Sequence, residues 1–193
     1  MKRSLSILMI AIALLGNGYS DRGSWVIDTD SQLVIYGSTN INNFVCKMDC
    51  YVGSDTLQYF KEYSSKEIRF SKNRMSVPVT SFDCGARQIS RDFWKTLKSE
   101  FHPKLHITFI SLQDIALQNN SCVNGIVNIT LAGATSRYSI DYQVTRSKNI
   151  ILLKGTQSVN FSDFNLQAPE KLQGLIKVSE ALKVEFNLVL KEI

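Results

Sequence analysis

Four cysteines are the residues whose spacing most limits the chemistry available to this sequence. Cys46 and Cys50 lie in "FVCKMDC", where apolar and polar residues alternate as in a β-strand. In an extended strand their Cα atoms would be about 13 Å apart, whereas a disulfide tolerates about 4.4–6.8 Å. The two thiols therefore cannot pair with each other within a regular strand. They also lack the CxxC spacing of redox and zinc sites.

The remaining reactive side chains do not form a catalytic pattern. His102 and His106 have the spacing of a helical metal pair, but Pro103 lies between them. In an extended segment they would be about 13 Å apart, which is too far to share a metal ion. The sequence has no Gly-x-Ser-x-Gly elbow and no glycine-rich phosphate loop. We therefore predict a protein that is not an enzyme and that uses no metal or other cofactor.

The N-terminal residues predict export from the cytoplasm. Two basic residues precede an apolar run over residues 5–15, and small residues follow near position 20. This is the pattern of a secretory signal peptide, and the run is shorter than the roughly 20 residues that cross a bilayer. We predict a signal peptide over residues 1–20 and one mature domain over residues 21–193, periplasmic or secreted. There, an even number of cysteines favours disulfides.

The charge balance argues against nucleic acid as a partner. The chain carries a formal net charge of +5, and its basic residues are scattered along the sequence instead of forming a dense patch. Such a charge gives at most a weak attraction to an anionic membrane surface. No second apolar run is long enough to span a membrane, so stable membrane insertion is not expected. A homodimer is left open.

Strand periodicity dominates residues 21–193. The last segment, "ALKVEFNLVL", alternates apolar and mostly polar residues, and similar segments are separated by short turns. In "SRDFWKTLKSEF", apolar residues instead recur every three or four positions, which predicts one short helix over about residues 90–101 with Ser90 as its N-cap. Residues 52–66 are polar and tyrosine-rich and are interpreted as an excursion from the sheet. The pattern indicates an all-β fold, an antiparallel sandwich or a closed barrel.

Strand register predicts one disulfide. If the excursion loops out and the chain turns near Asn73, Cys46 and Cys84 lie almost opposite each other on neighbouring strands, which are about 4.8 Å apart. We therefore predict a Cys46–Cys84 disulfide. Elimination would then pair Cys50 with Cys122, although four cysteines allow three connectivities.

Four segments of the sequence resemble the YceI-like family of exported, lipid-binding proteins. They are "SWVIDTDSQLVIYGSTNINNFVC", "VPVTSFDCGARQISRDFWKTLKSEFHPKLHITF", "VNGIVNITLAGATSRYSIDYQV" and "VNFSDFNLQAPEKLQGLIKVSEALKVEFNLVL". Their order and spacing carry the resemblance, which covers nearly all of residues 21–193. The sequence differs at Asp30-Ser31, where many members carry His-Ser, and at Asn165, which replaces a glycine. The resemblance implies a lipocalin-like antiparallel β-barrel that holds a long apolar lipid of the polyisoprenoid or isoprenoid quinone type.

The expected binding site is the interior of that barrel, since about eight strands leave room for side chains or for one ligand. Its predicted lining consists of aromatic and branched residues on strand faces: Phe109, Ile129, Tyr138, Ile140, Tyr142, Phe161, Val184 and Phe186. The alternative is that these residues form a solid core, in which case the protein is a disulfide-braced surface interaction module. A thiol-based enzyme would require a free reactive cysteine beside a basic group.

Overall fold

The computed structural model describes residues 20–62, 65–114 and 121–193. Its strands are β1 (Ser20–Ile27), β2 (Gln32–Ser38), β3 (Asn43–Met48), β4 (Thr56–Glu62), β5 (Glu67–Lys72), β6 (Arg74–Pro78), β7 (Lys104–Gln113), β8 (Ser121–Leu131), β9 (Ala134–Ser147), β10 (Ile150–Asn160), β11 (Glu170–Lys171), β12 (Ile176–Lys177) and β13 (Ala181–Glu192). Helix α1 spans Arg87–Thr96, and short 3₁₀ turns span Val79–Ser81 and Phe161–Phe164. The signal peptide predicted over residues 1–20 lies outside the described residues except for Ser20, where β1 begins.

Antiparallel pairing closes the main sheet into a barrel. The strand order is β1–β4–β5–β7–β8–β9–β10–β13, and β13 pairs in turn with β1. β2 continues β1 along β13, β3 lies beside β2, and β6 continues β5 along β7. β3 and β4 lie in the same way along β2 and β1. The wall therefore consists of eight strands, of which β1–β2, β3–β4 and β5–β6 are bent. The predicted all-β antiparallel barrel with a single short helix is confirmed.

Alternating burial explains why these segments form a wall. Along β13, Leu182, Phe186, Leu188 and Leu190 are buried, while the residues between them are exposed or half-buried. The inward side chains of the strands join in one hydrophobic cluster inside the barrel. Burial of this apolar surface is the main favourable contribution to folding.

Two local predictions in the N-terminal half are wrong. The predicted excursion over residues 52–66 is wrong, because β4 lies in the wall between β1 and β5 with Leu57 fully buried; residues 63 and 64 lie outside the described residues. The chain also does not fold back at Asn73, because β5 and β6 both pair with β7. The Asn73 carbonyl accepts a hydrogen bond from the Phe109 backbone N–H at 2.8 Å. β5 and β6 are thus two parts of one bent strand.

Helix α1 is shifted from its predicted position, since it covers Arg87–Thr96 instead of 90–101. Ser90 is not the N-cap but lies buried inside the first turn, where its Oγ accepts a hydrogen bond from the Cys84 backbone N–H at 2.9 Å. The helix ends early because Lys98 adopts a left-handed backbone conformation with φ of 53°, a common way to terminate a helix.

The Cys46–Cys84 disulfide is present and joins β3 to the segment before α1. Beside it, Lys47 and Asp83 exchange two backbone hydrogen bonds. Among the described residues, these two hydrogen bonds are the whole backbone pairing between β3 and the segment that follows β6. The disulfide therefore reinforces a place where the barrel wall has few backbone hydrogen bonds, which we call the seam. The predicted partners are right, but the hairpin used to place them does not exist.

The expected Cys50–Cys122 disulfide is wrong, because both thiols are free and exposed. Cys50 follows β3, whereas Cys122 lies on β8. In the order of the sheet, β9, β10, β13 and β2 separate these two strands. Elimination failed here because it assumed that every cysteine has a partner.

Candidate functional site

An apolar groove of about 270 Å³ opens on the surface beside α1. It lies between α1, the β2–β3 turn and the segment that follows β10. Its apolar lining consists of Ile41, Phe44, Ile89, Phe93, Phe161, Pro169, Ile176 and Val178. A few polar side chains, Thr39, Asn42, Asn43, Asp92, Thr96 and Lys171, complete the rim. A groove with this balance of groups suits an apolar ligand with a small polar end.

Helix α1 presents one face to the groove because Ile89, Phe93 and Thr96 are three or four residues apart. Ile89 is exposed on that face, whereas Phe93 points inwards and is buried. The Trp94 indole N–H donates a hydrogen bond to the Phe82 carbonyl at 2.8 Å. This bond and the edge-on contact between the Phe82 and Phe93 rings, with centroids 6.0 Å apart, hold the helix against the barrel.

The opposite wall of the groove depends on the 3₁₀ turn Phe161–Phe164. The Asn160 backbone N–H and the Tyr138 hydroxyl donate to the Asp163 carboxylate at 2.8 and 2.7 Å. These two hydrogen bonds hold the pKa of Asp163 below its usual value. The turn ends at Asn165, whose φ of 54° is left-handed, a conformation that asparagine tolerates well. An asparagine can therefore occupy this position, where the sequence resemblance implies a glycine.

A second apolar space lies inside the barrel behind Phe93. It has a volume of about 60 Å³ and is lined entirely by apolar side chains, including Leu33, Phe82, Ile129, Leu182, Val184 and Phe186. Phe93 is the residue that lines both this cavity and the outer groove. The two apolar spaces are thus in contact through a single aromatic ring.

The other half of the interior is packed more tightly. A void of about 10 Å³ lies between Phe70, Phe109, Tyr142 and neighbouring aliphatic side chains. The Tyr142 hydroxyl has no hydrogen-bond partner among the described residues, and burial raises its pKa. The ring lies over Gly125 and Gly155, where an added Cβ would come within 2.9 and 2.7 Å of it. Glycine at these positions makes room for the tyrosine.

The eight predicted lining residues do not share one site. Ile129, Val184 and Phe186 line the inner cavity, and Phe109 and Tyr142 line the small void. Ile140 is fully buried in the core. Phe161 faces the outer groove, and Tyr138 is half-buried with its hydroxyl bonded to Asp163. The structure therefore brings three of the eight together around the cavity behind Phe93.

Sequence reasoning missed the groove, because its lining comes from turns and from α1. Ile41 lies among polar turn residues, and Ile176 belongs to the two-residue strand β12, so neither is part of a long alternating segment. The periodicity places Phe93 in a helical stripe that packs on the sheet, whereas Ile89 precedes the helix predicted over residues 90–101. The available signal was the presence of isolated apolar residues within polar turns, since such residues often mark an interaction site when they cluster.

A basic basin adjoins the groove and shares Asp92, Thr96 and Lys171 with it. Lys95 and Lys98 line its other side. Lys171 forms an ion pair with Asp92 at 3.1 Å. Among the lining residues of groove and basin, three lysines therefore face one carboxylate.

Ser76 and His106 form a serine–histidine pair away from the groove. The Ser76 Oγ and His106 Nδ1 atoms are 3.0 Å apart on the outer face of β6 and β7. Burial, with Arg74 and Lys104 nearby, lowers the pKa of His106. The pair lies on the outside of the wall, since Met75, Val77 and Leu105 point inwards, and it lines neither the groove nor the inner cavity.

Comparisons with known proteins place the chain among similar barrels. The YceI-like domain model matches residues 25–190. A polyisoprenoid binding domain from Saccharophagus degradans, implicated in plant cell wall breakdown, is 15% identical with a TM-score of 0.67, covering 90% of this chain and 100% of that one. Burkholderia cenocepacia BcnA is 13% identical with a TM-score of 0.61, covering 84% and 98%.

The Campylobacter jejuni YceI protein is 13% identical with a TM-score of 0.52, covering 100% of this chain and 94% of that one. No curated protein matches the sequence. At such identities the solved structures support the fold. Within the described residues, none of the helices has the length and apolar character that a membrane span requires.

Proposed function

The chain belongs to the YceI-like family, and on that premise we propose that it is an exported, non-enzymatic protein that binds a long apolar lipid. The observation that carries the proposal is the contact between the outer groove and the all-apolar inner cavity through Phe93. The lipid tail lies in the groove and extends into the cavity when Phe93 turns aside. We propose a polyisoprenoid or an isoprenoid quinone, because the Saccharophagus degradans relative is a polyisoprenoid binding domain.

The lining chemistry supports a ligand held by burial alone. An apolar chain gains roughly 0.8 kcal/mol for each CH₂ group taken out of water. The inner cavity offers no polar side chain, so it cannot fix the orientation of a tail by hydrogen bonds. The amides, hydroxyls and charged groups at the rim of the groove face the part of the ligand that stays near solvent. We expect the site to accept related tails of different length.

Export is part of the proposal. The Cys46–Cys84 disulfide suits an oxidising compartment, and such bonds are rare in the cytosol. The N-terminal pattern of basic residues followed by a short apolar run points the same way. We therefore place the mature protein in the periplasm or outside the cell.

One observation favours a second candidate function. The inner cavity of about 60 Å³ is several-fold smaller than the roughly 300–1,000 Å³ of typical small-molecule pockets. Phe82, Phe93 and Phe186 fill much of the space that a wider barrel would leave open. A barrel filled in this way would act through its surface, as a disulfide-braced interaction module. The two candidates differ in that the lipid-binding protein requires Phe93 to move.

Native mass spectrometry distinguishes the two candidates. The protein is produced in a bacterial host, purified under non-denaturing conditions and compared with the Ile89→Ser/Ile176→Ser variant, which makes the groove polar. A matched control is Ile150→Ser, since Ile150 is 37% exposed, close to the 44% of Ile89, but is the first residue of β10, at the end of the barrel away from the groove.

The lipid-binding proposal predicts an added mass that organic extraction removes and identifies. We expect the groove variant to lose about tenfold in occupancy or more, since two apolar contacts with the tail are lost, and Ile150→Ser to keep the ligand. An absence of bound lipid in every expression host would favour the surface module. An equal loss in the groove variant and in the control would show that the groove is not the site.

A further inference from the structure

Three apolar side chains protrude from one end of the barrel beside the groove. Leu172 and Leu175, in the turn between β11 and β12, are 67% and 73% exposed, and Ile41, in the β2–β3 turn, is 65% exposed. We call these three residues the tip patch. Soluble proteins scatter single apolar residues over their surface, but a cluster at the tips of adjoining turns marks an interaction site.

Hydrogen bonds hold the two turns of the tip patch side by side. The Asn40 side chain donates to the Leu175 carbonyl at 2.9 Å and accepts from the Lys177 backbone N–H at 2.9 Å. The Asn40 backbone N–H also donates to the Lys177 carbonyl at 3.1 Å. The relative positions of Ile41 and the two leucines are therefore fixed by the fold.

The backbone conformation of Leu172 in the β11–β12 turn is a second reason to expect a partner at the tip patch. Leu172 has a φ of 51°, in the left-handed region that residues other than glycine and asparagine seldom adopt. A leucine at this exposed position gains nothing from burial within the chain and has an unfavourable backbone conformation. Its presence there is explained if the side chain is buried in something else.

The charged residues around the tip patch indicate which kind of partner fits it. The basin next to the groove carries Lys95, Lys98 and Lys171 on the same side of the molecule, against the single carboxylate of Asp92. Lys177 and Glu170 form a further ion pair at the base of the β11–β12 turn, with N and O atoms 3.5 Å apart. Protruding aliphatic side chains flanked by lysines match the two layers of an anionic bilayer surface, the acyl boundary and the headgroups.

We propose that the tip patch and the neighbouring lysines form a docking surface for an anionic lipid bilayer. Ile41, Leu172 and Leu175 insert into the acyl boundary, and Lys95 and Lys98 lie against the headgroups. The docked protein then places the open side of the groove at the membrane surface. This inference rests on the exposed residues and their charges, and it holds whether or not the groove binds a lipid tail.

Vesicle flotation tests the proposal with the full chain as it is recovered from culture, its N-terminus read by mass spectrometry. We expect the protein to float with phosphatidylcholine vesicles that contain phosphatidylglycerol and to bind pure phosphatidylcholine vesicles much less. Leu172→Ser/Leu175→Ser should lower the bound-to-free ratio by at least about tenfold. Lys95→Glu/Lys98→Glu should remove the preference for phosphatidylglycerol.

Matched control variants distinguish docking through the tip patch from nonspecific adsorption to vesicles. Val52 is 79% exposed but lies outside the tip patch and the groove, between β3 and β4, so Val52→Ser should bind vesicles like wild type. Lys66→Glu/Lys72→Glu makes the same charge change at the two ends of β5 and should have less effect than the Lys95/Lys98 change. Thermal melts of all variants should coincide with wild type, because the substituted side chains are exposed.

Three results would overturn the docking proposal. They are failure of the wild-type chain to float with phosphatidylglycerol vesicles, unchanged flotation of Leu172→Ser/Leu175→Ser, and an equal loss in Val52→Ser. Native mass spectra recorded on the same samples keep the two proposals apart. If the protein carries lipid but does not bind vesicles, only the docking proposal is refuted. If it binds vesicles but never carries lipid, only the proposed function is refuted.

Discussion

Removal of the Cys46–Cys84 disulfide gives a quantitative test of how the barrel wall is held together. The two cysteines are 38 residues apart in the chain. On the chain-entropy model, a closed loop of this length contributes about 4 kcal/mol to the free energy of unfolding. Within the described residues, the Lys47–Asp83 bridge is the only backbone pairing between β3 and the segment before α1. Few other contacts there can therefore compensate for the loss of the disulfide. For a domain of this size, about 4 kcal/mol corresponds to a fall in Tm of about 8–16 °C.

The assay is denaturant and thermal unfolding of Cys46→Ala/Cys84→Ala followed by circular dichroism. The chain supplies its own control, because Cys50 and Cys122 are free and exposed. Cys50→Ser/Cys122→Ser should unfold like wild type, and thiol titration of the denatured, unreduced wild type should count two thiols. A loss below about 1 kcal/mol in the Cys46/Cys84 variant would refute the reasoning, as would a thiol count of zero or four.

Three further predictions concern side chains inside the barrel and beside the groove. Tyr142→Phe should leave the free energy of unfolding unchanged or raise it by about 1 kcal/mol, because the hydroxyl has no partner among the described residues; a clear loss in chemical denaturation would contradict this. Asp163→Asn should lower stability most at neutral pH. The folded-state pKa of Asp163 lies below its usual 3.8, so its contribution is present above that value and disappears as the pH falls through the folded pKa; melts as a function of pH should show the gap to wild type closing in acid, and a pH-independent gap would contradict the assignment. Phe93→Ala should cost about 3–4 kcal/mol in urea unfolding yet speed the uptake of a fluorescent polyisoprenoid, and slower uptake would exclude a gating role for this ring.

The architecture was predictable because period-two alternation over long segments depends only on which face is buried. β13 shows this clearly, since Leu182, Phe186, Leu188 and Leu190 alternate with residues that are less buried. Residues 52–66 were misread because β4 mixes tyrosine and polar residues, and its tyrosine packs on a partner far along the chain: the Tyr59 and Trp25 ring centroids are 4.6 Å apart. Composition alone cannot reveal such a contact.

The candidate site was only partly predictable. Ile129, Val184 and Phe186 were identified because strand alternation marks inward positions. The outer groove was missed because it forms where α1 and two turns meet. Hydrophobic periodicity gives no information about how turns pack against each other. The end of α1 was also missed, because it depends on a left-handed conformation at Lys98, a residue with no special preference for it.

A photoreactive polyisoprenoid tests the central claim most directly. The probe carries a diazirine at mid-chain, is bound to the wild-type protein, and is cross-linked before peptide mapping. The account predicts that labelled peptides come from α1 around Ile89 and Phe93 and from β13 around Val184, on both sides of the Phe93 ring. Specific binding of the probe with labels confined to the outer surface of the barrel, and none on these two elements, would contradict it.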